Sequence, residues 1–354
     1  MKLKPAAIGD VVLLAAAAAA FFVLPRSAGM FVLIDGTIYA ALSVLALSLG
    51  LVWGFAGILS FGQAAFFGLG GYTYAVVAIN TNDTTLAAGI GMVVPALAAT
   101  LVGYFIFWGR ISDVYLGVIT LTLSLILYHF FNQTAGDFWK IGTAPLGGFN
   151  GIPNTPALTA PGDPDNALDP DVLYQVAIAS LALTYVVCRL VLATRFGRVV
   201  VAVRENETRA ELLGYDARYY KLGIFVIGSM MAGMAGVLFS NAVFVSPNMF
   251  SLQTSGQIII WVIVGGRGTL LGPIVGCVLM ELLSTTLGAY SQSSGTNWLD
   301  PNLVLGVLLM VFVLLVPRGL VPLCRDGAAW LWRRLAPERT KSTTPAVQIE
   351  AAKR

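Results

Sequence analysis

An all-α, polytopic membrane fold of about ten transmembrane helices, with glycine-broken segments, is predicted by three features of the 354-residue sequence. Only 11% of its residues are Asp, Glu, Lys or Arg and 57% are apolar, whereas a soluble domain averages about a quarter charged. Apolar stretches of spanning length recur along almost the whole chain. None of them alternates as a lipid-facing barrel strand would, and a backbone without water must bond to itself, so these stretches span as helices.

In chain order the spans are expected at residues 6–25, 31–53, 55–79, 85–109, 113–131, 171–194, 222–241, 249–266, 269–289 and 302–317. The first is expected to be an uncleaved helix, because its apolar run exceeds a signal-peptide core. Cleavage near Ser27, Ala28 and Gly29 would instead leave nine spans and an outside N-terminus, with the rest unchanged. Residues 1–325 form one transmembrane domain on this reading, and 326–354 a basic tail expected to be cytoplasmic and unstructured.

The second and third spans enclose GFAGILSFGQAAFFGLGGYTYA, residues 54–75, and the eighth and ninth enclose VGGRGTLLGPIVG, residues 264–276. Glycine permits close helix contact, and it also permits a broken helix whose freed backbone groups line a cavity. One such stretch in each half of the chain points to a transport pathway. The candidates there are Ser60, Gly62, Gln63 and Thr73 with Gly265 and Gly266, joined by Thr120 and Thr122 of VITLTLSLILY. Their uncharged hydroxyls and amide suit a zwitterion or a neutral polar solute; small-residue packing alone would account for the same glycines.

Between the fifth and sixth spans lies the longest polar connection, about 132–170, rich in proline and acidic in balance. It reads either as an outer docking surface or as a solvated connector. With a cytoplasmic N-terminus and ten spans, all of the 21 lysines and arginines except Arg26 and Lys140 fall inside, as the positive-inside rule requires. The C-terminus is then cytoplasmic too.

Enzyme chemistry is not indicated. His129 is the single histidine, the three cysteines are far apart, and neither HExxH nor Gly-x-Ser-x-Gly occurs. No GxxxxGK[ST] loop is present to cradle ATP, and neither metal spacing nor a cofactor motif appears. The formal charge of +3 gives no basis for nucleic-acid binding. An ion-coupled carrier would hold ionisable groups deep in the bilayer. The candidates are Asp35, about five residues from the outer end of its span and so within reach of water, and Glu281, nearer mid-depth, the latter alternatively as a carboxyl bonded to a neighbouring helix.

RENETRAELLGYDARYYK, residues 204–221, is the most highly charged internal segment and lies in an inner loop of about 195–221. Asn206 suits an N-cap, Glu207 the first turn and Gly214 a left-handed C-cap, giving a helix of about two turns. Glu205 and Arg209 stand four residues apart in the favourable order.

Several segments together resemble the membrane permeases of branched-chain amino-acid ABC importers: SLGLVWGFAGILSFGQAAFFGLGGYTYA, GRVVVAVRENETRAELLGYDARYYKLGIFVIGSMMAGMAGVLFS, VSPNMF, IVGGRGTLLGP and VPRGLV. The likeness is to the longer, M-type subunit of the permease pair, and urea and short-chain amide importer permeases are similar. The resemblance implies a bacterial inner-membrane importer. In it two homologous permeases form the pore, two cytoplasmic ATPases consume ATP and a periplasmic binding protein delivers solute. It also implies that the charged inner segment is the coupling loop. Glu205, Glu207, Arg209, Ala210, Leu213, Gly214 and Tyr215 are its site residues, with Ala210, Leu213 and Tyr215 expected to press into an ATPase groove.

Overall fold

A computed structural model describes residues 17–26, 29–136, 138–160, 163–294, 306–307, 310 and 319–324. The tail from 326, residues 6–16 of the first expected span and most of the tenth, 302–317, lie outside these described residues. The helices are α1 (Ala17–Arg26), α2 (Met30–Ala56), α3 (Gln63–Thr81), α4 (Thr84–Trp108), α5 (Asp113–Gln133) and α6 (Pro170–Ala193). They continue as α7 (Arg195–Glu205), α8 (Glu207–Leu212), α9 (Ala217–Ala242), α10 (Leu252–Gly265) and α11 (Leu271–Ser294). Among the described residues, α2, α4, α5, α6, α9 and α11 are the six long and apolar enough to cross a membrane. In α3, 19 residues long, polar groups at Gln63, Thr73, Asn80 and Thr81 dilute the apolar run, and α10 has 14 residues.

Two expected spans differ in detail from the helices found. The run 55–79 divides: α2 extends to Ala56, Gly57 stops it with φ 78°, and its N–H bonds back to the Trp53 carbonyl. An irregular stretch, 57–62, then leads into α3. The run 249–266 likewise becomes a 3₁₀ turn, Pro247–Phe250, followed by α10. A window of hydropathy passes over both breaks because Ile58, Leu59 and Phe61 at the first, and Met249, Phe250 and Leu252 at the second, keep the average apolar.

The bundle is built around α9, which packs on α2, α3 and α4. Of its most apolar window 61% is buried, against 22% for α5 and α6, which form the periphery. Lipid tails compete equally for apolar side chains, so helices associate through dispersion at close approach, and small residues make that approach possible. A Cβ on Gly70 of α3 would overlap the Gly233 carbonyl of α9, and one on Gly236 would overlap the Phe67 carbonyl. Pro95 of α4 fits beside Gly233, where a Cβ would come within 2.7 Å of the proline Cγ.

At the outer end on the orientation above, the long α5–α6 connection folds onto the helix ends. It contains two small antiparallel hairpins, Lys140–Ile141 with Ala144–Pro145 and Thr159–Ala160 with Asp163–Ala167. Asn80 accepts the Thr143 N–H at 2.8 Å and donates to the Ile141 carbonyl at 2.9 Å. Tyr74 donates to the Pro156 carbonyl at 3.0 Å, and Asn241 accepts the Leu158 N–H at 2.7 Å. These bonds satisfy loop groups that packing would otherwise leave dry.

Candidate functional site

The irregular stretch before α3 gathers the first set of sequence candidates. The Phe61 N–H donates to Thr120 Oγ1 of α5 at 3.2 Å, and the Gly62 N–H donates to Ser60 Oγ at 3.1 Å. Thr120 also donates to the Leu116 carbonyl at 2.9 Å. Ser124 reaches the Phe61 carbonyl at 3.4 Å. Ser60, Gln63 and Thr120 are buried. Gln63 accepts from Ser48 of α2 at 3.4 Å, while its Nε2 has no partner among the described residues. The result is an uncharged polar seam where α2, α3 and α5 meet. Its hydroxyls hold an unwound backbone that lipid could not solvate.

The other pathway candidates stand apart from this seam. Thr73 is half-buried further along α3. Thr122 is exposed on α5, its hydroxyl returned to the Val118 carbonyl at 2.9 Å. Gly265 and Gly266 are buried at the corner between α10 and α11, where a Cβ on Gly265 would overlap Gly272 and one on Gly319 would overlap Gly266. Around 264–276, therefore, the glycines join two helices at contact distance.

On the opposite side from the long loop, α7 and α8 form a polar hairpin leading into α9. Thr194 caps α7, accepting the Gly197 N–H at 3.3 Å. Asn206 caps α8 as expected, accepting the Arg209 N–H at 2.8 Å, and Gly214 adopts φ 89°. The α8 helix has six residues, short of the expected two turns. Glu205 pairs with Arg204 rather than in the expected arrangement with Arg209, and Glu207 pairs with Lys221 of α9 at 2.7 Å. Asp216 caps α9, and its carboxyl is held below the usual carboxylate range by its hydrogen bond to Arg218.

The apolar contacts of this hairpin differ from the expectation. Ala210 is only 3% exposed and packs with Val203 and Ala217 inside the chain, so it fastens α8 to α7 and α9. The side chains left outward are Leu212, 84% exposed, Leu213, 73% exposed, and Tyr215. The spacing of seven from Val203 to Ala210 to Ala217 is the signal that marks this inner seam, and sequence reasoning missed both it and Leu212.

Two arginines close the neighbouring end of α2. Arg204 donates to the Gly54 carbonyl in the last turn, where a cation complements the helix dipole. Arg267 lies over the Trp53 ring, 5.3 Å from its centroid. The hairpin and the α10–α11 corner thus both rest on the end of α2.

Elsewhere α10 and α11 border a half-open cavity of about 380 Å³. Gln253, Gly256 and Gln257 of α10 face it, with Glu281 of α11 opposite. Glu281 was legible as an intramembrane charge; its glutamine companions, one turn apart, were not singled out. Among the described residues no basic side chain pairs with its carboxylate.

A family profile described as "Branched-chain amino acid transport system / permease component" matches residues 31–316. The chain is 27% identical to the high-affinity branched-chain amino acid transport system permease protein LivM of Escherichia coli (strain K12), over 80% of this chain and 68% of that one. It is 26% identical to the probable branched-chain amino acid transport permease protein LivM of Methanocaldococcus jannaschii, over 79% of this chain and 90% of that one. LivH of Escherichia coli, the permease protein of the same named system, is 29% identical over 41% of this chain and 44% of its own. No solved structure matches the chain significantly. With the matched region running from the start of α2 past α11, the chain belongs to the permease component family of branched-chain amino acid transport systems.

Proposed function

We propose that this multi-pass protein is the permease subunit of a bacterial inner-membrane ABC importer for branched-chain or related amino acids. It pairs with a second homologous permease, takes solute from a periplasmic binding protein, and is driven by ATP hydrolysed on two cytoplasmic subunits. The observation that carries this reading is the α7–α8 hairpin, a charged, capped projection that leaves Leu212 and Leu213 outward. Exposed leucines at the tip of a polar hairpin form an apolar contact for a partner. The basic residues on the same side of the spans support a cytoplasmic partner. Support for the importer class comes from the family and from likeness to both LivM and LivH.

The test exploits the fact that Leu212 and Leu213 hold nothing else together. Leu212→Asp with Leu213→Asp is expected to insert and purify normally in the membrane but to lose at least about tenfold in ATPase retention, because each charge must be desolvated on docking. Amino-acid uptake by the reconstituted complex should fall in step. Normal retention and uptake would remove the hairpin from the coupling role. Uptake by this chain alone, without ATP, would establish an ion-driven carrier instead. Orientation is checked separately: cysteine at Asn166 should react with an impermeant thiol reagent from the periplasm, and cysteine at Asn206 should not.

A further inference from the structure

The cavity between α10 and α11 belongs neither to the seam before α3 nor to the hairpin. Glu281 lies ten residues beyond Leu271, where α11 begins, about 15 Å along the helix at 1.5 Å per residue. That is near the middle of a hydrocarbon core of about 30 Å. A carboxylate at this depth is costly, and Glu281, which has no basic partner among the described residues, marks a ligand or ion site. Opposite it, Gln253 and Gln257 supply amide donors from one face of α10, and Gln253 stands in the first turn, where the helix dipole also favours an anion. Trp261 and Met280 complete the wall with apolar surface. The volume of about 380 Å³ falls within the roughly 300–1,000 Å³ of small-ligand sites.

We propose that this cavity holds an amino acid in transit as its zwitterion. The ammonium meets Glu281, the carboxylate meets the amides of Gln253 and Gln257, and the aliphatic side chain lies against Trp261 and Met280. The proposal rests on the importer reading and adds to it a residue-level reason for selecting amino acids. A neutral amide or urea carries no ammonium for Glu281 to compensate.

Gly256 provides the probe, because a Cβ built there meets nothing within 4 Å. Cys188 and Cys277 are buried and Cys324 is exposed, so Gly256→Cys in a Cys324→Ser background places one reactive thiol at the cavity. In the complete reconstituted complex, under turnover with leucine, labelling by a small methanethiosulfonate reagent should slow by at least about fivefold, the scale of a site held by charge-assisted hydrogen bonds. The oxo acid 4-methyl-2-oxopentanoate, with leucine's skeleton but no ammonium, should give no protection. Adding Glu281→Gln should abolish protection by leucine and leave the unprotected labelling rate unchanged. In the otherwise native chain, Glu281→Gln should lower leucine uptake at least about tenfold while the ATPases remain bound. Equal protection by the oxo acid, or protection that survives Glu281→Gln, overturns the site. If the wild-type complex imports leucine and the thiol is not protected, the site falls and the importer stands. If the wild-type complex imports no amino acid, both fall.

Discussion

Before α3, Gly57 and Gly62 flank a stretch where the backbone leaves the helix, and its polar groups are taken up by Ser60, Thr120 and Ser124. Where α3 crosses α9, Gly70, Gly233 and Gly236 lie in helices that continue unbroken, and their missing side chains let the carbonyls of one helix touch the other. In the first region Gly57, at φ 78°, uses glycine's conformational freedom, and hydroxyls repay the lost helix bonds. In the second, glycine supplies space, and dispersion at contact distance holds helices that lipid would otherwise separate. Hydroxyls bonded to backbone outside their own helix, as Thr120 and Ser124 are to Phe61, therefore distinguish the two uses, which glycine content alone does not.

The largest effect is expected where space is least. A Cβ at residue 236 would overlap the Phe67 carbonyl and stand 2.8 Å from the Gly71 nitrogen, both backbone atoms of α3. No rotamer relieves that contact, so Gly236→Val must part α3 from α9 at the upper end of, or above, the 1–3 kcal/mol typical of overpacking. We expect most of the protein to be lost from the monodisperse fraction in detergent, and the remainder to show a lowered apparent Tm. Wild-type recovery and Tm would break the comparison, because the crossing would then have room to spare.

A smaller and different effect is expected at residue 62. Its φ of −85° suits any residue, and a Cβ would come within 3.0 Å of Thr120 Cβ, 3.3 Å of the Thr120 carbonyl oxygen and 3.4 Å of Ser60 Oγ, tight contacts but without the backbone overlap met at Gly236. Gly62→Leu should therefore assemble with a loss of about 1–2 kcal/mol, while the added bulk in the polar seam lowers uptake at least about tenfold. Transport at the wild-type rate would take this seam out of the pathway and leave it a purely structural loop.

The sequence made the membrane class, the long connection between α5 and α6 and the caps of α8 legible, because each has a local cause: apolar runs, proline and acidic residues, and a side chain at a defined offset from its own backbone. The break before α3 was partly legible, since Gly57, Ser60 and Gly62 were singled out, but Ile58, Leu59 and Phe61 kept the run apolar and the span looked continuous. Ala210 was assigned outward because a small apolar residue on a charged segment fits either a partner or the chain's own seam. Only the packing of Val203 and Ala217 decides between them. The cavity at Glu281 required knowing that α10 and α11 turn back on each other at Gly265 and Gly272, a tertiary fact that no local pattern in the two helices carries.

The smallest effect should come from a glycine that needs neither space nor a break in a spanning helix. Gly214 has φ 89°, and a Cβ there would meet nothing within 4 Å. Its replacement is therefore a test of backbone conformation alone. Asn enters the left-handed region readily, Ala costs about 1 kcal/mol, and Val, being β-branched, costs somewhat more. Gly214→Asn, →Ala and →Val should thus form a graded series with almost no change in apparent Tm of the bundle, since α8 also has the Ala210 seam and the Glu207–Lys221 pair to hold it. What should change, in the same order, is the direction in which Leu212 and Leu213 project, and with it the ratio of solute taken up to ATP hydrolysed. Measuring both quantities on one reconstituted preparation separates this from lost assembly, which would lower uptake and hydrolysis together. A flat series would show that the turn after α8 does not set the contact. If uptake per ATP instead falls from Asn to Ala to Val at constant Tm, the one conformation that this glycine allows is what aims the hairpin at its partner.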